Sequence, residues 1–300
     1  MPPAPFPSVG FSGVVRVDGE SWAFGFADRA HGIPNTLETQ FGIASGTKGI
    51  TALVVNAVLP LDLEARELLG RDLPLIDDGV TVGHLLMHTS GIGDYLDEEA
   101  IEDFDGYLMP VPVHELATTE DYLKVLEGHP QLFEPGERFK YCNSGYVVLA
   151  LLCERATGVS FYELARARVL DPAGMCDTAF LRSDALPGRA ALGYLADGRT
   201  NLFHLPVRGS GDGGIYTTLD DLDRLWAFVG DDEPVGFVWR DPLRLVGSDA
   251  GVAFMSVRGS YTIISNCSIG ANEVTAGLDA YVGHSHASHA TDPDPPGAPC

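Results

Sequence analysis

The 300-residue sequence predicts an α+β protein, with an antiparallel sheet drawn from both chain ends, flanking helices and a mostly helical second lobe. Three observations predict it. Apolar runs of strand length stand at 11–17 and 21–27, and again at 236–239, 252–257 and 261–265. The middle of the chain instead carries longer apolar runs of helical length, so the terminal strands must meet across it to form one sheet. Asp18-Gly19, between the first two runs, accepts the positive φ of a tight hairpin and makes those two strands antiparallel neighbours.

The remaining elements follow in order. Ile50 to Leu59 is nearly all apolar, which predicts a helix buried on every face that stops at Pro60. A short amphipathic helix is expected over 61–69 and another over 80–87, broken by Thr89-Ser90-Gly91. Residues 94–130 are acidic and irregular, with a helix over 119–126; the run 94–105 reads as a solvated loop. Apolar helices follow at 144–155 and 161–170. Thr218-Leu-Asp-Asp221 is a capping signature opening a helix to Phe228. We read a single unit over 1–282, with an α/β lobe from about 8–60 and 190–280 and a helical lobe over about 61–189. Residues 283–300, rich in His, Pro, Gly and Asp, read as a disordered tail.

Composition narrows the function. With 42 acidic against 19 basic residues the formal charge is −23, which repels phosphate backbones and anionic bilayers, so neither nucleic acid nor a membrane is an expected partner. No apolar run reaches the ~18 residues of a membrane span. Residues 1–7 lack the basic and apolar segments of a signal peptide. Cysteines 142, 153, 176, 267 and 300 show no C-x-x-C spacing and read as free thiols of a reducing compartment, which places the protein in the cytoplasm. No cofactor and no metal are expected. Gly209 to Gly214 matches G-x-G-x-x-G but lacks a surrounding βαβ unit, and His284, His286 and His289 fall in the tail. Oligomeric state has no sequence signature here.

The chemistry concentrates at Ser45-Gly-Thr-Lys48. Three residues apart at a helix start, the hydroxyl and the amine share one face. Desolvation in the apolar helix is expected to disfavour the lysine's charged form, and an amine of that kind activates a hydroxyl as nucleophile. Tyr141-Cys-Asn143 follows a Pro-Gly turn and precedes the helix from Ser144. Tyr141 there can present its oxygen to Ser45 as a general base if the Lys48 charge favours the phenolate, and Asn143 can bond a substrate amide or ester.

Together these residues resemble the serine β-lactamase and penicillin-binding-protein superfamily, in its class C β-lactamase, D-Ala-D-Ala carboxypeptidase and esterase branch. Ser45-x-x-Lys48 and Tyr141-x-Asn143 are similar to two of its three motifs. The flanking segments Leu85-Leu-Met-His88-Thr-Ser-Gly-Ile92, Glu134-Pro-Gly-Glu137, Pro172-Ala-Gly-Met175 and Gly213-Gly-Ile-Tyr-Thr-Thr218 resemble the family's too, and come in its order. The resemblance implies the β-lactamase/transpeptidase-like fold and an acyl-enzyme route. Ser45 is then the nucleophile, Lys48 and Tyr141 share its proton, Asn143 orients the substrate, and the Ser45 N–H forms half of an oxyanion hole.

The third motif departs from the family. Where Lys-Thr-Gly or His-x-Gly is usual, the segment in register is Gly247-Ser248-Asp249-Ala250-Gly251. Ser248 is expected at the cation's position, Asp249 beside it as a substrate-binding residue that opposes a carboxylate if it faces the cleft, and Gly251 is left to offer the second oxyanion N–H. A missing cation removes a charge-assisted hydrogen bond worth ~1.5–3 kcal/mol to a substrate carboxylate. The expected substrate is therefore a small ester, amide or peptide-like molecule with a neutral acyl group. Two alternatives stay open: a true β-lactamase or D-Ala-D-Ala carboxypeptidase, and a non-catalytic binding protein on the same scaffold.

Overall fold

Asp18 and Gly19 adopt φ of 51° and 79° and close the hairpin between β1 (Gly13–Val17) and β2 (Glu20–Phe24). The computed structural model describes residues 10–231, 234–236, 243–272, 274 and 276. From the far end of the chain come β3 (Arg244–Asp249), β4 (Val252–Val257) and β5 (Tyr261–Ser265). The five form one antiparallel sheet in the order β2-β1-β5-β4-β3. The two chain ends meet where β1 pairs with β5, with Val15 opposite Ile263. At that junction Gly13, at φ 153°, lets the backbones close: a Cβ there would lie 2.0 Å from the Ile264 carbonyl oxygen.

Alternation along the strands gives the sheet two apolar faces. Val14, Leu245, Phe254 and Ile264 face the main core, while Val15, Val17, Tyr261 and Ile263 form a second, smaller cluster on the other side. Against the first face lies α1 (Thr47–Val58), whose residues 47–52, 54 and 55 are all buried. It packs on α2 (Asn143–Thr157), buried continuously from Asn143 to Cys153 and stopped by Gly158 in the left-handed region. The third long helix, α3 (Leu219–Val229), begins as the capping signature predicts: the Thr218 hydroxyl accepts from the Asp221 N–H.

Several elements are shorter than their apolar runs. Helix covers Ala65–Leu69 rather than 61–69, and Val82–Leu86 rather than 80–87, because Thr81 supplies the cap two residues into the run. The stretch 119–126 is a 3-10 turn, Glu120–Tyr122, followed by one turn of α-helix, Leu123–Leu126. The 161–170 helix changes to π geometry at Arg166–Leu170. β3 has no clear apolar signature, since Arg244, Val246 and Ser248 are exposed and a glycine sits in its buried row. The strand expected at 236–239 falls mostly outside the described residues, as does the tail 283–300. Cys142, Cys153, Cys176 and Cys267 are free thiols. No helix among the described residues is long and apolar enough to cross a membrane.

Candidate active site

Ser45 sits in a 3-10 turn, Ala44–Gly46, between the short strand Phe41–Gly42 and α1. Ala44 takes φ 45°, a left-handed backbone that costs about 1 kcal/mol or more for a residue with a Cβ. The sheet holds the turn closely. A Cβ on Gly46 would strike the Phe254 ring at 2.4 Å, and one on Gly247 would lie 2.2 Å from the Ile43 carbonyl oxygen and 2.8 Å from the Ser45 nitrogen. Glycine at 46 and 247 is therefore what lets β3 and β4 press against the serine.

One turn along α1, Lys48 is fully buried. Its Nζ donates to Ser45 Oγ at 2.9 Å, Asn143 Oδ1 at 2.8 Å and the Asp212 carbonyl oxygen at 2.7 Å. Three acceptors are what an ammonium can satisfy and a neutral amine cannot. The sequence expectation of a discharged lysine is thus reversed. Burial alone would depress the group, but Tyr141, Asp212 and Glu98 outweigh it and hold Lys48 above its usual value.

Tyr141 places its hydroxyl 2.8 Å from Ser45 Oγ. Its ring stacks on His88 with centroids 4.6 Å apart, and the Cys142 N–H donates to His88 Nδ1 at 3.0 Å. His88 itself is buried at φ 56° and stacks on Tyr146 as well, so the tyrosine is clamped from behind. Burial raises the Tyr141 phenol above its usual value despite the pull of Lys48. The resting pair therefore holds both protons, and the expected phenolate is not its ground state.

Asn143 opens α2 and is nearly inaccessible. Its Oδ1 serves Lys48, while Nδ2 donates to the Leu96 carbonyl at 3.0 Å and Glu98 Oε1 at 3.1 Å. Both amide hydrogens are bonded within the protein and the oxygen holds Lys48, while Asn143 also lines the cleft beside Ser45. Asp94 accepts from the Asn143 and Ser144 N–H groups at 2.7 and 2.9 Å and caps the helix. The acidic run read as a solvated loop is thus bound to the site at Asp94 and Glu98.

The third-motif expectations change most. Ser248 is exposed on the outer face of β3, and the inward row is Leu245, Gly247 and Asp249. Asp249 and Ala250 line the cleft that ends at Ser45; Ser248 does not. Gly251 turns away: its N–H donates to Ser268 Oγ at 2.9 Å, and a Cβ there would meet the Tyr194 backbone at 2.8 Å. That N–H cannot serve an oxyanion at the same time. Asp249 is pushed up to about 7 by burial, with Lys48 opposing and Asp212 and Glu98 adding to the rise. Asp212, in the glycine-rich turn, is raised by burial too, and the Tyr95 hydroxyl donates to its carboxylate. The cleft wall is apolar and aromatic, including Tyr95, Tyr107, Met109, Tyr122, Leu181 and Val207.

Comparison with known proteins agrees with this architecture. The family model described as Beta-lactamase matches residues 7–250. The chain belongs to the β-lactamase family. Penicillin-binding protein 4* of Bacillus subtilis is 33% identical over 226 residues, covering 67% of this chain and 47% of that protein. Esterase EstB of Burkholderia gladioli is 36% identical over 183 residues, covering 57% and 46%. The chain spans about half the length of these two curated relatives. The crystal structure of a penicillin binding protein from Bacillus halodurans superposes with a TM-score of 0.79 at 34% identity, covering 90% of this chain and 97% of that one. The β-lactamase fold expected from the motifs is therefore the fold observed.

Asp94, Glu98, Asp212 and His88 went unassigned as site residues in the sequence. A signal existed for Asp212, a charged residue among four glycines of 209–214 that no helix or strand explains. The others lie 43–53 residues from Tyr141 and reach it only through the fold.

Proposed function

We propose that this β-lactamase-family chain is a serine hydrolase that cleaves an ester or amide through an acyl-enzyme on Ser45. The observation carrying this reading is that Ser45 Oγ has Lys48 Nζ at 2.9 Å on one side and Tyr141 Oη at 2.8 Å on the other. When the Lys48–Tyr141 pair has lost one proton, the Tyr141 oxygen takes the Ser45 proton as Oγ attacks the carbonyl carbon. The Lys48 ammonium steadies the negative charge passing between the two oxygens. The proton then goes to the leaving alcohol or amine, leaving an acyl ester on Ser45. Water repeats the sequence with Tyr141 as base, and the acid is released. The Ser45 N–H is the backbone donor nearest the developing oxyanion in this reading; Gly251 is not part of it.

Asp249 in the cleft opposes a substrate carboxylate, which favours simple esters and amides over β-lactams and peptides ending in a free carboxylate. The relative named an esterase supports that choice. The free thiols support a reducing compartment, and we assign the cytoplasm.

Labelling with a fluorophosphonate, read by peptide mass spectrometry, tests the nucleophile. An adduct on Ser45, absent after Ser45→Ala, is expected, together with a higher kcat/KM for a p-nitrophenyl ester than for nitrocefin. An unlabelled Ser45 would favour the non-catalytic binding protein; equal kcat/KM values would contradict the substrate preference.

A further inference from the structure

The cleft that ends at Ser45 continues past its aromatic wall. His204 lines it, and His204 also lines an adjoining hollow between residues 105–108 and 199–204. At that junction the His204 side chain is buried, and its Nδ1 has no hydrogen-bond partner among the described residues, so no bond at that atom ties the ring across the passage. Beyond it stand Leu108 and Phe203, 60% and 77% exposed, the two most exposed large apolar side chains among the described residues. Single exposed apolar residues are ordinary on a surface, whereas two that line one hollow opening into the nucleophile's cleft mark a ligand groove.

The walls of the hollow are tied in place. Asp105 accepts from the Ala196 N–H and from Ser268 Oγ, both at 2.7 Å. Asn201 Nδ2 donates to the Ala250 carbonyl at 2.9 Å, and the Asn201 carbonyl accepts from the His204 N–H at 2.9 Å. Glycine at 193 admits this bridge, since a Cβ there would lie 2.2 Å from Asn201 Nδ2. The two charged residues that line the hollow are already engaged: both Asp105 oxygens are bonded, and Arg199 Nε donates to Asp197 at 2.6 Å. What the hollow offers a ligand is apolar surface.

The proton path says which end of the substrate lies there. The leaving group takes its proton from the Tyr141–Lys48 pair, and neither residue lines the cleft, although Ser45 does. The leaving group therefore sits on the Tyr141 side of Ser45, and the cleft with its hollow lies on the acyl side.

We propose that the hollow is an acyl-chain subsite, and that the substrate is a neutral ester or amide with a long apolar acyl chain, running from Ser45 past His204 to rest its far end on Leu108 and Phe203. This deepens the hydrolase reading and rests on it for turnover, though not for binding. Each methylene that the chain buries is expected to raise kcat/KM, or affinity, by up to about fourfold.

The test separates binding from chemistry. On the wild-type protein, kcat/KM is measured for p-nitrophenyl esters of even-numbered acids from acetate to decanoate. The decanoate-to-acetate ratio is expected to reach roughly tenfold or more, and to fall by about fivefold or more in Leu108→Ser/Phe203→Ser. Both side chains are largely exposed, so these substitutions spare the core, and Leu108→Met/Phe203→Leu should keep most of the ratio because it keeps the apolar surface. A flat or falling dependence on chain length, or a ratio that the serine substitutions leave intact, overturns the proposal. So does a chain-length gain confined to the alcohol side in a matching series of acetate esters. On Ser45→Ala protein, where hydrolysis does not enter, calorimetry with the N-methylglucamides of acetic, octanoic and decanoic acid, below micelle formation, reads affinity alone. Affinity that rises with chain length without any turnover contradicts the hydrolase reading alone; turnover with a flat chain-length dependence contradicts the subsite alone.

Discussion

The two walls that meet at Ser45 are built differently. On the helical side the groups next to Ser45 are bonded to one another and to the backbone: Lys48 has three acceptors, Asn143 uses its oxygen and both amide hydrogens, and Asp94 closes the end of α2. On the sheet side Asp249 stands unpaired and Gly251 has given its N–H to Ser268. The first wall is organised before any substrate arrives, as a group that moves a proton must be. The second leaves Asp249 open to the cleft. Chemistry resides in the fully bonded wall and selectivity in the unfinished one.

Substitutions in the helical wall should have the largest effects and should act on rate. Ser45→Ala is expected to lower kcat/KM for a p-nitrophenyl ester by about 10⁴-fold or more, and Tyr141→Phe by ~10²–10⁴-fold with little change in KM. A Tyr141→Phe enzyme with full kcat would break the division, because the phenol would then be only a wall. Lys48 and Tyr141 are both raised, so the pair keeps both protons at neutral pH. The proton-accepting form grows as pH increases, and kcat/KM should climb on the alkaline side; a rate that falls from pH 7 to 9 would exclude this pair as the base.

The sheet wall should respond in stability instead. Folded Asp249 keeps its proton to about 7, whereas the unfolded chain loses it near the ordinary 3.8. The native state binds more protons between those values, so stability falls as pH rises through the window. Asp249→Asn removes that loss. Chemical denaturation should show a gain of about 2–4 kcal/mol at pH 7–8, at ~1.4 kcal/mol per pKa unit, shrinking towards zero near pH 4. A pH-independent loss would mean that Asp249 is a structural residue after all.

A smaller effect sharpens the boundary between the walls. Asp94→Ala leaves the first N–H groups of α2 without their acceptor and should cost ~0.5–2 kcal/mol of stability. Because Asn143 is the first residue of that helix and holds Lys48, kcat should fall with it. Unchanged kcat at reduced stability would show that Lys48 is positioned from elsewhere.

Ser45, Lys48, Tyr141 and Asn143 were legible in the sequence because each pair sits within four residues at a helix start, where spacing alone fixes which side chains share a face. The sheet was legible in its hairpin and in β4 and β5, whose apolar patterns are strong. β3 was not, because Gly247 replaces an apolar side chain in its buried row. In a strand, a shift of one residue exchanges the two faces. That is why Ser248 and Asp249 were both expected at the cleft and only Asp249 lines it. The charge state of Lys48 was misread for a different reason: Tyr141 and Asp212 come from 93 and 164 residues away, and only the fold brings them to the amine.

The most direct test of the central claim is to trap the intermediate. The protein is acid-quenched while turning over a p-nitrophenyl ester, digested and sequenced by tandem mass spectrometry. The account predicts the acyl mass on the peptide containing Ser45, and its absence in Ser45→Ala. Sustained turnover with an unmodified Ser45 peptide, or with the acyl group on another residue, would contradict it.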